Sequence, residues 1–284
     1  MLNPQSAFTR LLYSTARIEA TLSDGSRSVG TAFHFSFKID EQRHLPLLVT
    51  NKHVVRHAIT ATFHLHEASR DRNGAVVGPA STSFAVSMDQ FEGRWLMHPD
   101  SETDICVMPF EPLRQAAANA GKDPFAMPLA DNLIPTDETL SGLSAMEEVV
   151  MVGYPIGLWD ASNNFPILRR GHTASHPATD FQGKPQGLID MACFPGSSGS
   201  PVLILDEGGY ATASGFSVGT RIHFLGVLFA GPVFRADGTV AVVDIPTTAT
   251  AVARTEIPIH LGYYVKASQL LTLKATLFSA YNLA

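Results

Sequence analysis

The chain is short of cysteine, of charge and of long apolar runs, and each shortage excludes a class of protein. Only two of the 284 residues are cysteine, Cys106 and Cys193, which excludes a disulfide framework and predicts a reducing, cytoplasmic setting. A net charge of −6 with no basic run argues against nucleic acid or an anionic membrane as partner. The apolar runs are far shorter than the roughly 20 residues of a membrane span, and the N-terminal segment does not resemble a signal peptide.

What the chain does contain is a succession of short apolar and β-branched segments separated by turn residues. The segment TAFHFSF, residues 31–37, has phenylalanine at every second position, which is typical of a strand with one buried face. Helical patterns are confined to Leu113–Ala120 and Gln269–Phe278. Many strands with few helices indicate an all-β fold. The predicted strands are Arg17–Leu22, Val29–Phe37, Leu45–Thr50, Ile59–His66, Phe84–Met88, Trp95–Met97, Ile105–Phe110, Glu148–Val152, Ile167–Arg170, Gly187–Met191, Pro201–Leu205, His223–Phe229 and Tyr263–Lys266.

The proline-rich segment 111–140 has few strand signals, so we expect it to link two β units. The first unit is predicted over about 15–110 and the second over about 141–267. A short helix, at about 268–280, follows the second unit. Residues 232–260 are interpreted as an insertion within the second unit, with no role assigned.

The stretch PGSSGSPV, residues 195–202, carries Ser198 between glycines and directly precedes an apolar strand. Serine is a weak nucleophile unless a base takes its proton and a third group orients that base. LLVTNKHVV places His53 at the end of one apolar strand, and TDICVMPF places Asp104 at the start of another. A half-buried carboxylate at Asp104 needs a hydrogen-bond donor, and an imidazole N–H can supply it.

Other interpretations of these residues are weaker. Taken alone, the segment around Ser198 fits a serine in a solvent-exposed turn as well as it fits a nucleophile. Most of the 11 histidines are expected to have no special role. The G-x-S-x-G motif of the α/β-hydrolases does not fit, because Ser200 occupies its last position and the histidine precedes the serine in the chain. Cys193 lies five residues before the nucleophile position, so a cysteine nucleophile fails too. The histidine pairs 64/66 and 172/176 lack a third ligand, so we expect no metal.

Taken together and in order, GTAFHF, LLVTNKHVV, DICVMPF and GSSGSPV resemble the motifs of the trypsin/chymotrypsin-like serine peptidases over about residues 28–232. The similarity is greatest to the bacterial HtrA/Deg group, although no PDZ-like extension is expected here. The resemblance implies one domain over 1–284, made of two orthogonal six-stranded β-barrels with the site between them. It also implies that His53 is the general base, Asp104 its orienting acid and Ser198 the nucleophile. The N–H groups of Gly196 and Ser198 would form the oxyanion hole, with no cofactor.

The resemblance also places the substrate pocket. Ala192 falls at the pocket base, where trypsin-type enzymes carry aspartate, so a Lys or Arg side chain would lack a counter-charge. We therefore expect cleavage after small or medium apolar residues. Lys52, beside His53, is expected to point into solvent. The pocket wall, which would pair with the substrate backbone, is assigned to Leu228, Phe229, Ala230 and Gly231.

The sequence thus predicts a serine endopeptidase that acts on protein or peptide substrates. The alternative is a catalytically silent or partner-activated module of the same fold that binds protein ligands. For the partner-activated form, a regulatory protein partner is expected.

Overall fold

The computed structural model describes residues 2, 4–212, 215–231, 233–239, 252–281 and 283, with only the backbone described for 233–239 and 252–258. The helices are α1 (Ala7–Leu11), α2 (Lys52–Val55), α3 (Glu111–Asn119), α4 (Asp137–Ser141) and α5 (Gln269–Tyr281). The strands of the first half are β1 (Thr15–Leu22), β2 (Arg27–Lys38), β3 (His44–Thr50), β4 (Ala58–Arg70), β5 (Val76–Asp89), β6 (Leu96–Met97), β7 (Cys106–Pro109), β8 (Pro124–Phe125) and β9 (Leu129–Ala130). Those of the second half are β10 (Glu148–Gly153), β11 (Ile167–Thr173), β12 (Gln186–Asp190), β13 (Pro201–Asp206), β14 (Gly209–Thr212), β15 (Gly215–Val218), β16 (Arg221–Ala230), β17 (Val233–Thr239), β18 (Val252–Pro258) and β19 (Leu261–Lys266).

The strands form two main β units. The N-terminal sheet has nine strands and runs in the order β5-β4-β1-β2-β3-β7-β6, with β8 on β4 and β9 on β2. The C-terminal unit is a closed barrel in the order β10-β11-β12-β19-β16-β13. The predicted all-β fold is therefore confirmed, with a closed six-stranded barrel in the C-terminal half and a C-terminal helix. The N-terminal half, predicted as a second six-stranded barrel, is a nine-stranded sheet, since β8 and β9 pair with strands of this unit. Of the helices described, none has both the length and the apolar character needed to cross a membrane.

The phenylalanine face of β2 packs between the two units. Phe33, Phe35 and Phe37 are fully buried, and the Phe33 ring lies 5.4 Å from that of Phe224 on β16. These rings belong to one apolar cluster that contains residues of both units, while each unit also has a core of its own. Burial of large apolar side chains from both halves holds the two units together. The crevice between the units is thereby given a fixed geometry.

Every predicted strand overlaps an observed strand, and both predicted helices are present as α3 and α5. The segment 111–140 contains more structure than expected, since it holds α3, α4, β8 and β9. Part of the insertion 232–260 lies outside the described residues. Its described ends form the antiparallel pair of β17 and β18.

Candidate active site

His53 and Asp104 are brought together by the N-terminal sheet. His53 lies on α2, a single helical turn that begins immediately after β3, rather than at the end of the strand itself. Its Nδ1 is 2.5 Å from Oδ2 of Asp104, and its backbone N–H donates to Oδ1 of the same carboxylate at 3.1 Å. The side chains are 47% and 22% exposed, respectively. The hydrogen bond to Nδ1 orients the imidazole, the backbone hydrogen bond holds the carboxylate in place, and the outer edge of the ring remains accessible.

The residues before His53 hold the loop that carries Asp104. The side chain of Asn51 donates to the Asp104 carbonyl at 2.7 Å, and the ammonium group of Lys52 donates to the Asp100 carbonyl at 2.6 Å. The prediction that Lys52 points into solvent is wrong, because it is only 5% exposed. The turn into α2 directs this side chain inward against the loop, and burial lowers its pKa.

Ser198 lies in a tight loop before β13, residues 195–200, which we call the nucleophile loop after the role predicted for Ser198. Two positions of this loop have a backbone conformation that favours glycine. Gly196 and Gly199 have φ angles of +87° and +88°, a region that other residues rarely adopt. A Cβ on Gly196 would fall 2.5 Å from the Tyr154 carbonyl oxygen, and one on Gly199 would fall 1.9 Å from the Thr31 carbonyl oxygen. Both glycines are therefore required by the backbone conformation and by close packing.

The peptide groups beside Ser198 are oriented by their carbonyls. The Pro195 carbonyl accepts from the Ile156 N–H at 2.5 Å, and the Ser197 carbonyl accepts from the Ser200 N–H at 3.0 Å. In a planar trans peptide the C=O and N–H groups point in opposite directions. The N–H groups of Gly196 and Ser198 are thus turned away from these partners, and neither donates to any acceptor within the described part of the chain.

Ile156, which holds the Pro195 carbonyl, has an unusual backbone. Its φ of +48° is rare for a β-branched residue, and its side chain is 72% exposed. Burial of this side chain therefore does not offset the strain. What this backbone conformation provides is the hydrogen bond from the Ile156 N–H to the Pro195 carbonyl of the nucleophile loop.

The hydroxyl of Ser198 donates to the Phe229 carbonyl on β16 at 3.5 Å. Across the described residues it makes no hydrogen bond to His53, so the structure pairs His53 with Asp104 but does not join Ser198 to them. Hydrogen bonds between a nucleophile and its base are commonly long in the absence of substrate.

The predicted pocket wall lies on β16, next to the nucleophile loop. The pairing of β16 with β19 shifts register between Leu228 and Ala230, which leaves Phe229 without a partner residue on β19. The Phe229 ring packs on Tyr263 at 6.1 Å and against the apolar cluster between the units. Ala192, the predicted pocket base, is partly buried, and Gly231, at the end of the wall, is exposed.

Cys193 lies beside Gly231, at the end of the predicted pocket wall, a contact that the sequence did not indicate. A Cβ on Gly262 would lie 2.5 Å from its sulfur, and one on Gly231 would lie 3.7 Å from its Cβ. Burial raises the pKa of the thiol to about 11, so the side chain is neutral and behaves as an apolar group. Nearby, the Arg169 guanidinium stacks 5.2 Å from the Phe194 ring centroid.

The histidines outside this site have other neighbours. His64 is 3.3 Å from Glu19, and the His66 ring packs edge-on against Tyr13 at 4.7 Å. Throughout the described ranges, no three histidine, cysteine, aspartate or glutamate side chains are grouped so that they could hold a metal ion.

Several solved structures are similar to this chain at low identity. An HtrA-type protease, AlgW with a tripeptide, is 15% identical with a TM-score of 0.47, and the match covers 96% of this chain and 62% of that one. The Rv3671c protease from M. tuberculosis, in its active form, is 16% identical with a TM-score of 0.46, over 96% of this chain and 87% of that one. A serine endoprotease from Yersinia pestis is 13% identical with a TM-score of 0.46, over 98% and 68%. Such distant likenesses identify neither substrate nor partner.

No curated protein matches the chain. A family model for the trypsin-like peptidase domain matches residues 30–210. This range contains His53, Asp104 and the whole nucleophile loop. Because the match extends over more than half of the sequence, the protein belongs to the trypsin-like peptidase family.

Proposed function

We propose that the protein is a serine endopeptidase. Ser198 Oγ attacks the carbonyl carbon of the scissile peptide bond while Nε2 of His53 takes its proton. Asp104 accepts from Nδ1–H of His53 and keeps that tautomer in place. The proton then passes from His53 to the leaving amine, and water hydrolyses the acyl-enzyme in the same way.

The observation that carries this proposal is the pair of free N–H groups beside Ser198. Each is held by a carbonyl hydrogen bond on the far side of its own peptide, so both are available to a developing oxyanion. Preorganised donors of this kind cost little reorganisation during the reaction. A loop that served only as a turn would need neither this orientation of its peptides nor a hydrogen-bonded histidine–carboxylate pair elsewhere in the domain.

The proposal is tested by intact-mass labelling with a fluorophosphonate, which reacts with activated serines. We expect one adduct on the wild type and none on Ser198→Ala, with equal thermal unfolding for the two proteins. If the folded wild type stays unlabelled, the alternative holds: a silent module, or an enzyme that awaits a partner. Repeating the labelling with a cell extract, with the same variant as control, separates those two.

The substrate is proposed to be a protein or peptide with a small or medium apolar residue before the scissile bond. The neutral lining by Ala192 and Cys193 supports this, and the nearby Arg169 guanidinium disfavours a second cation. A reducing, cytoplasmic location remains our prediction, supported by two free, buried cysteines.

Reporter peptides that end in alanine, valine or leucine are expected to be cleaved at least about tenfold faster than arginine or lysine reporters, since a buried cation lacks a partner here. The measurement is kcat/KM for a matched set of chromogenic peptides. Ala192→Asp should raise the value for the arginine reporter. Preferential cleavage after arginine by the wild type contradicts the apolar pocket.

A further inference from the structure

Thr31, on β2 of the N-terminal sheet, reaches across to the C-terminal barrel. It is fully buried. Its backbone N–H donates to the Ser198 carbonyl at 2.9 Å, and its hydroxyl donates to the Gly196 carbonyl at 3.0 Å. The same hydroxyl accepts from the Tyr154 N–H at 3.1 Å and from the Ser200 hydroxyl at 3.3 Å. One residue of the first unit therefore contacts both ends of the nucleophile loop.

These contacts use the full capacity of the threonine hydroxyl, which has one hydrogen to donate and two lone pairs to accept with. The space around it is closely packed. A Cβ on Gly153 would lie 2.7 Å from the Thr31 hydroxyl oxygen and 2.0 Å from that of Ser200. Loss of the hydroxyl would leave a partly buried carbonyl, a buried N–H and a buried serine hydroxyl without their partner, and such groups are costly to leave unpaired.

The contact to Gly196 fixes the orientation of one peptide in particular. The Gly196–Ser197 peptide is held at its carbonyl by Thr31 and at its N–H by the Phe194 carbonyl, at 3.0 Å. It lies between the two peptides whose N–H groups are free. If it rotates, the peptides on either side of it, which carry the free N–H groups of Gly196 and Ser198, are reoriented as well.

We infer that Thr31 is a positioning residue for the oxyanion hole, one that acts through the Gly196 carbonyl from the opposite β unit. This inference rests on the proposed function. Thr31 touches no substrate. Its hydroxyl keeps the two donors aimed at the position of the oxyanion, where a displacement of about 1 Å can cost about a hundredfold in rate.

The test compares Thr31→Val with the wild type by the second-order rate constant of fluorophosphonate acylation at Ser198. Valine keeps the shape and removes the hydroxyl, so we expect acylation to slow by about ten- to a hundredfold, less than the roughly hundred- to thousandfold that complete loss of one oxyanion donor produces. Irreversibly misfolded molecules would lower the labelled fraction at completion, whereas misaimed donors lower the rate constant. Thermal unfolding of each variant, recorded in the labelling buffer, shows whether a reversibly unfolded fraction contributes to the lower rate constant.

Two further variants serve as controls. Thr31→Ser retains the hydroxyl and is expected to acylate within about threefold of the wild type, which a merely steric role for the γ-methyl group would not produce. Thr62→Val on β4 removes a threonine hydroxyl that pairs with Ser87 at 2.9 Å, in the same sheet, and is expected to leave the rate unchanged.

A Thr31→Val protein that acylates at the wild-type rate overturns the inference and leaves the proposed function intact. Slow acylation of both Thr31→Val and Thr31→Ser also overturns it, because the hydroxyl then does not decide the rate. A wild type that never acylates overturns the proposed function, and the inference with it.

Discussion

Asp104→Asn is expected to slow acylation of Ser198 by about three to four orders of magnitude while leaving the fold intact. The Asp104 carboxylate accepts from both the backbone N–H and the Nδ1 of His53, at 3.1 Å and 2.5 Å. An asparagine amide has the same shape but can present N–H to Nδ1, which then acts as the acceptor. The imidazole proton moves to Nε2, where it faces the nucleophile, and His53 can no longer take the proton of Ser198.

The measurement is the fluorophosphonate rate constant, with thermal unfolding recorded for each protein. Asp100→Asn is a matched control, since this carboxylate lies in the same loop and accepts from Thr103 at 2.7 Å but does not touch His53. We expect the control to acylate like the wild type. Equal rates for Asp104→Asn and the wild type would remove Asp104 from the mechanism.

The strands were predictable where burial imposes a period on the sequence. In β2 the alternation of phenylalanine follows directly from packing one face against the C-terminal barrel, as Phe33 against Phe224 illustrates. β8 and β9 were not predicted because two residues cannot show a period. They also lie among prolines, and only tertiary pairing with β4 and β2 makes them strands.

Some residues of the candidate site could also be predicted from the sequence, and others could not. His53, Asp104 and Ser198 stand in motifs whose order along the chain could be recognised. Lys52 was misplaced because the four-residue helix α2 is too short to produce a periodic signal, and that turn decides which way its side chain points.

Thr31 could not be singled out from the sequence at all. In TAFHFSF it is an ordinary strand threonine, and its partners Tyr154, Gly196 and Ser200 are more than a hundred residues away. Its role exists only once the two units pack together. The site therefore depends on the interface between the units as much as on its own motifs.

That interface and the N-terminal sheet contain buried histidines that make the fold sensitive to acid. His34 and His66 are 4% and 3% exposed. Burial lowers the pKa of His34 to about 3 and that of His66 to about 4. Repulsion from a protonated His66 ring lowers the pKa of His34 further. The unfolded chain takes up protons at the ordinary histidine pKa of about 6.5. The free energy of unfolding is therefore at its full value above about pH 6.5. It decreases as the pH falls below that value, because the unfolded chain then binds protons that the folded protein does not.

At pH 5 each buried histidine is expected to reduce the free energy of unfolding by about 2 kcal/mol relative to pH 8, since one pKa unit is worth about 1.4 kcal/mol. His66→Phe, which places an aromatic ring beside Tyr13, should remove one of the two contributions. Urea unfolding at pH 5, 6, 7 and 8 measures the change. His44→Phe, at an exposed position at the start of β3, is the matched control and should keep the wild-type pH dependence. If His66→Phe loses as much stability between pH 8 and pH 5 as the wild type does, then His66 becomes protonated within the folded protein, and acid sensitivity must arise elsewhere in the sheet.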